Sequence, residues 1–237
     1  MWILLLALTA QAQPAHDPAW KTSIADAQSL AESCTGPKTC EFACWGDAVK
    51  MLEPTERGGT RTACYTEGEA HGPIVSWHQN GRKEGVGYSK MGIPEGGYVA
   101  WHNNGKAAAT GTWVSGKRHG LLTTWHDNGQ IQSQGDWVNG VQSGIVRHWH
   151  DNGQLEEVSH WQDEKPDGPL FSWYADGQSK ARAQYKDGQP HGMWKQWYTS
   201  GKREVFARYE SGEIRTIRCW DEHGKQMVCP KASVTER

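Results

Sequence analysis

Four histidines recur at a spacing of 24 residues. They are His78, His102, His126 and His150, each directly after a tryptophan, and Tyr174 and Tyr198 continue the column. A row of imidazoles is the side-chain set for metal ligation or proton relay. If each 24-residue unit contributes one hairpin, neighbours in the column stand ~9.6 Å apart. Two ligands on one zinc, with bonds of about 2.1 Å, must lie within roughly 4 Å of each other. The column is therefore read as an aromatic, hydrogen-bonding position of the fold and, where it reaches the surface, as the candidate binding face. His148 and His150 share a strand face, but two imidazoles alone make a weak site. No metal and no cofactor is expected.

The cysteines offer a second chemistry. Cys34, Cys40, Cys44 and Cys64 are separated by five, three and 19 residues, and Cys219 and Cys229 by nine. Only Cys40 and Cys44 have the closeness of a zinc knuckle, and the second close pair is missing. An even set in a chain with export features reads as a disulfide framework. The late two staple one another, while the early four leave three pairings open. The stretch Gly111-Thr112-Trp113-Val114-Ser115-Gly116-Lys117 resembles a phosphate-binding loop until Arg118 occupies the place where magnesium ligation needs Ser or Thr. The acidic run Asp163-Glu164-Lys165-Pro166-Asp167 occurs in one copy only and reads as loop variation rather than a calcium site. No catalytic residue is assigned, and no enzymatic activity is expected.

Charge narrows the partners. Lys and Arg total 25 against 27 Asp and Glu, a net charge of −2. That balance excludes bulk attraction to nucleic acid and argues against electrostatic recruitment to a membrane. The apolar stretch Met1 to Ala10, followed by Ala10-Gln11-Ala12, has the form of an export signal cut after Ala12, although no basic residue precedes it. The chain is therefore expected to be secreted or periplasmic.

The elements that carry these residues are set by a repeat. Gly72, Gly96, Gly120, Gly144, Gly168 and Gly192 are 24 apart, as are Trp77, Trp101, Trp125, Trp149, Trp173 and Trp197, and Gly81, Gly105, Gly129, Gly153, Gly177 and Gly201. A second ring column holds Trp113, Trp137, Trp161, Tyr185 and Tyr209. A further glycine column (Gly92, Gly116, Gly140, Gly188, Gly212) is broken only by Glu164, and Trp220 to Gly224 form a shortened seventh copy. Asn128-Gly129 and Asn139-Gly140 are both hairpin signals, because both turn positions need φ > 0. Each unit reads as one β-hairpin paired edge to edge with the next, about thirteen strands and roughly 60 Å in all. Ile74, Tyr98, Leu122, Val146, Leu170 and Trp194, three before each central Trp, point to the opposite face, so both faces carry apolar material. Alternation of the two ring columns predicts an aromatic ladder, with room left by Gly111, Gly135, Ser159, Ala183 and Ala207.

A unit of Gly, an apolar residue, Trp, His or Tyr, then Asn/Asp-Gly, followed by a second Gly-x-Trp/Tyr run, resembles the MORN repeat. More closely it resembles the bacterial MORN-variant repeats of antitoxin-type proteins. The likeness covers about residues 68–224. It implies a mainly β, single-layer array of antiparallel hairpins that serves as a binding or scaffolding surface without catalytic machinery.

Four segments follow: a signal peptide at 1–12, a helical, cysteine-containing cap at 13–66, the array at 67–224 and a stapled tail at 225–237. Within the cap, helices are expected from Pro18 to Ala31 and from Thr39 to Leu52, the second carrying Cys40 and Cys44 on one face. The expected function is non-enzymatic binding of a protein partner at the cell envelope or exterior. The alternatives are a polysaccharide or cell-wall ligand stacked on exposed rings, or neutralisation of a toxin.

Overall fold

A turn with two successive positive φ values joins every second pair of neighbouring strands through the array. At Asn139 φ is +54° and at Gly140 +87°, the geometry of a two-residue hairpin whose twist matches its strands. Ser115-Gly116, Asp187-Gly188 and Ser211-Gly212 repeat it, as does Asp163-Glu164 without any glycine. Asn128-Gly129 behaves differently. Only Gly129 has positive φ, and Gly129 N–H bonds the carbonyl of His126 while His126 N–H bonds that of Gln130. Asn128-Gly129 is thus part of a longer loop and not the tight turn expected there, and the same pair of backbone bonds closes the loops at Gly177 and Gly201.

These turns order the computed structural model, which describes residues 22–230. The export signal at 1–12, the start of the first predicted helix and the last residues of the tail lie outside the described residues. Among the described residues one helix, α1 (Ile24–Ser33), precedes 19 strands in one open antiparallel sheet. They are β1 (Val49–Pro54), β2 (Thr60–Thr66), β3 (Glu69–Trp77), β4 (Lys83–Lys90), β5 (Ile93–Pro94), β6 (Gly96–Trp101), β7 (Ala107–Val114), β8 (Lys117–Trp125), β9 (Ile131–Val138) and β10 (Val141–Trp149). There follow β11 (Leu155–Gln162), β12 (Lys165–Pro166), β13 (Gly168–Trp173), β14 (Ser179–Lys186), β15 (Gln189–Pro190), β16 (Gly192–Trp197), β17 (Arg203–Glu210), β18 (Glu213–Trp220) and β19 (Gln226–Met227). The pairs β5/β6, β12/β13 and β15/β16 are single strands interrupted just after Pro94, Pro166 and Pro190, where proline has no N–H for the ladder. Counted that way, β3 to β18 are the expected thirteen strands, and β1, β2 and β19 are additions.

The cap is only partly helical. Ser23 and Asp26 form a reciprocal capping box at the start of α1, with Ser23 N–H to the Asp26 carboxylate at 2.6 Å and Asp26 N–H to Ser23 Oγ at 3.2 Å. Ala27 and Ala31 of α1 are buried on Val75, Val86, Val99 and Trp77. Docking is close: Gly97 N–H bonds the Thr22 carbonyl at 2.9 Å, and a Cβ on Gly97 would lie 2.2 Å from Ser23 backbone. The second predicted helix, Thr39 to Leu52, does not form. Gly46 turns the chain at φ +54°, and Val49 onward pairs with β2. Its apolar residues Val49, Met51 and Leu52 are exposed on the sheet edge rather than buried on a helix face. Two crosslinks explain the choice. Cys34 bonds Cys40, and Cys44 reaches across to Cys64 in β2, so Cys40 and Cys44 do not share a face.

Side chains divide between two faces. The cap face bears Val75, Val86 and Val99, directly opposite one another in β3, β4 and β6. The other face bears Leu122, Thr124 and Trp137, with Gly135 opposite Leu122 and Ser133 opposite Thr124. A second small core closes the far end, where Val205, Ala207, Tyr209 and Cys219 are buried and Cys219 is stapled to Cys229.

Candidate functional site

The histidine column is a spine. His78, His102, His126 and His150 each direct Nε2 at the main-chain carbonyl of the next repeat's tryptophan (Trp101, Trp125, Trp149 and Trp173) at 2.8–2.9 Å. Tyr174 and Tyr198 do the same with their hydroxyls, donating to the carbonyls of Trp197 and Trp220 at 2.7 and 2.8 Å. A carbonyl only accepts, so each imidazole carries its proton on Nε2. A second ladder runs beside the first: the amides of Asn80, Asn104, Asn128 and Asn152 donate to the carbonyls of Asn103, Asp127, Asp151 and Ala175. It stops at Asp176, whose carboxylate cannot donate and keeps only the bond that the asparagines also accept, from the N–H two residues on, here Gln178 at 2.9 Å. All six members of the proposed binding face are therefore committed, by one side-chain atom each, to joining repeats.

The ring columns do not stack on one another. Trp137 stands opposite Gly120 and Trp125 opposite Ile131, at opposite ends of the same strand pair. The expected ladder of central and second rings is absent for that reason. The second ring meets the apolar residue three before the central Trp instead: Tyr98 with Trp113 at 5.9 Å, and Trp194 with Tyr209 at 6.0 Å. The small-residue column makes space for that apolar residue, since a Cβ on Gly111 would lie 2.7 Å from Cε1 of Tyr98. Burial pushes the Tyr98 phenol above its usual range, with Arg118 opposing the shift. The first glycine column bends the strands, with φ +74° at Gly120 opposite Trp137.

A groove of about 500 Å³ opens on the face away from the cap, over β7 to β10. Leu122 and Val146 floor it beside Tyr98, and Thr124 and Ser133, joined at 2.7 Å, with His148 and Glu156 give it polar groups. Arg118 stands at its margin with its guanidinium carbon 5.7 Å from the Trp113 ring and 5.1 Å from the Trp137 ring. A second recess of about 460 Å³ lies at the first loops, around Trp77, His78 and Asn103, where Arg57 is already paired with Glu84 at 3.7 Å. Elsewhere Arg182 lies over Trp197 and Arg203 over Trp220. Near the open edge, Tyr65 and Arg61 both donate to the Glu53 carboxylate. The Tyr65 hydrogen bond, with Arg61 beside it, holds that carboxyl below its ordinary value, and burial pushes the Tyr65 phenol up.

Other sequence candidates fall into place as structure. Gly116 sits in the turn between β7 and β8, so the phosphate-loop lookalike is a strand, a hairpin turn and a strand, with no cradle. The run Asp163 to Asp167 is the glycine-free turn into β12. Among the described residues no group of three or more His, Cys, Asp or Glu side chains could hold a metal ion. Nor, among them, is any helix long and apolar enough to cross a membrane. Arg118 and the Glu53–Arg61–Tyr65 cluster were not anticipated. The first had a signal, because its column otherwise holds Ala70, Pro94, Gln142, Pro166, Pro190 and Ile214.

No curated protein matches the chain. Three consecutive segments, residues 118–139, 142–163 and 166–187, match the MORN repeat variant, each spanning one hairpin of the sheet, so that from 118 to 187 this protein is built of hairpins similar to that repeat.

Proposed function

We propose that this chain is a non-enzymatic binding scaffold, exported from the cytoplasm, that presents its repeat sheet to a protein partner. MORN repeats commonly serve as binding or scaffold modules, which fits this reading. The observation that carries it is the groove over β7 to β10: concave, confined to a few repeats, floored by aliphatic side chains and edged by hydroxyl and amide groups. That is the form of a protein-recognition patch. Three disulfides, with no free cysteine among the described residues, support an oxidising, non-cytoplasmic location.

Stacking on a polysaccharide needs bare ring faces at regular intervals. Here cations lie over Trp113, Trp137, Trp197 and Trp220, and both ring columns are half-buried or buried. The test is retention of envelope-fraction proteins on the immobilised full chain, run beside a panel of cell-wall and surface polysaccharides. Saturable retention of one protein, competed by free chain, is the expected result. Reproducible polysaccharide binding with no retained protein overturns the reading.

A further inference from the structure

Arg118 is the one cation in its repeat column, where the other copies carry Ala70, Pro94, Gln142, Pro166, Pro190 and Ile214. Its neighbours in space are two indoles rather than a carboxylate. Among the described residues its guanidinium has no ion pair and no hydrogen bond, only its main-chain carbonyl being engaged, by Gly140 N–H, whereas Arg57, Arg61 and Arg215 each have an acidic partner. A guanidinium flanked by two rings is shielded from water and held in place, which strengthens the bidentate bond it would make with a planar anion. The repeat does not need a charge at this position, and the fold does not neutralise it.

We propose that the groove over β7 to β10 binds an extended acidic peptide, its Asp or Glu carboxylate paired with Arg118 and a neighbouring apolar side chain seated on Leu122 and Val146. The proposal rests on the scaffold reading above and specifies the partner's chemistry. One guanidinium, with Glu156 lining the same groove, suits a single negative charge better than a phosphate dianion or a polyanion. The indole faces on which a sugar ring would stack are taken by the guanidinium itself. Arg118 and Leu122 are four positions apart on β8 with Gly120 bending the strand between them, so they stand closer than the about 13 Å of four extended steps. Allowing for the reach of the arginine, the peptide's acidic and apolar residues stand two or four positions apart, on one side of an extended chain.

The experiment is an array of fluorescein-labelled octapeptides placing Glu two or four residues from Leu or Phe, each beside its Gln counterpart, titrated by fluorescence polarisation against the full chain. Expected is binding of a Glu peptide that weakens at least tenfold for the Gln counterpart and at least tenfold for Arg118→Gln, with Arg182→Gln on the cap face unchanged. Equal binding of Glu and Gln peptides, an unaffected Arg118→Gln variant, or oligogalacturonate binding with no peptide bound overturns the proposal. Circular dichroism of Arg118→Gln shows that the sheet is intact. Should Arg118→Gln retain the same envelope protein as the parent chain, the scaffold reading stands and this site falls. Should the peptide bind while no envelope protein is retained, the site stands and the scaffold reading falls.

Discussion

His126 donates from Nε2 to the main-chain carbonyl of Trp149, 2.8 Å away in the next repeat. The same bond in later copies is made by the hydroxyls of Tyr174 and Tyr198. Two different side chains thus perform one task, that of satisfying a half-buried carbonyl at the strand end. His126→Tyr is expected to stay within about 0.5 kcal/mol of the parent in chemical denaturation. His126→Phe, which leaves the Trp149 carbonyl without this donor, is expected to cost about 1–2 kcal/mol. Equal losses for the two variants would show that ring packing, not the hydrogen bond, is what the column supplies.

Tyr98 is fitted to the absence of a side chain at Gly111. Ala in place of Gly111 puts a Cβ 2.7 Å from Cε1 of the ring, and a Cβ on Gly87 would likewise crowd Tyr98, at 3.3 Å from its Cβ. Gly111→Ala is expected to cost about 1–3 kcal/mol by overpacking. In a Tyr98→Leu background the cost should largely vanish, since Leu170 tolerates Ala183 opposite it. A double-mutant cycle on thermal unfolding measures the coupling.

The Cys44–Cys64 bridge ties the non-helical half of the cap to β2. Its sequence separation of 20 corresponds to about 3 kcal/mol of restrained chain entropy. Replacing both cysteines by Ser should raise hydrogen exchange in α1 and β1 while leaving β9 to β16 protected. Uniform deprotection along the sheet would mean that the array cannot stand without its cap.

Acid should loosen the cap end first. The Glu53 carboxyl is held low by the Tyr65 hydrogen bond and then by Arg61, and the Asp26 carboxyl by its hydrogen bonds from Ser23. For a carboxyl with a lowered folded value, stability is present above the ordinary value, here 4.5 for Glu53, and is lost as pH falls below it. The thermal midpoint should therefore fall on titration from about pH 5 to pH 3, and fall less in Glu53→Gln. An identical fall in that variant would remove Glu53 from the account.

What could be read in advance was whatever the repeat enforces locally. Glycines at 24-residue spacing mark positions where φ is positive, and positive φ is a property of one residue and its two neighbours. The strand count of β3 to β18, the turn at Asn139-Gly140 and the terminal staple follow from such rules. The helix predicted from Thr39 to Leu52 failed because apolar spacing cannot reveal that Cys44 will be drawn twenty residues down the chain to Cys64. The ring ladder failed because alternation along the chain does not fix register, and register places the two ring columns at opposite strand ends.

The sequence by itself determined the architecture: one hairpin built repeatedly, with one side chain per copy available to join it to the next. Only the tertiary structure decided which side chains that joining consumes. The histidines, the most chemically suggestive residues in the chain, are bound to neighbouring carbonyls, since strand ends bring them within 2.9 Å of an acceptor. Arg118, in the sequence only the residue that breaks a phosphate-loop likeness, is set between two indoles beside a groove because β7, β8 and β9 lie side by side. Periodicity along a chain is a one-dimensional property. Which residue keeps an unsatisfied charge depends on three-dimensional packing, and that is where the candidate site was found.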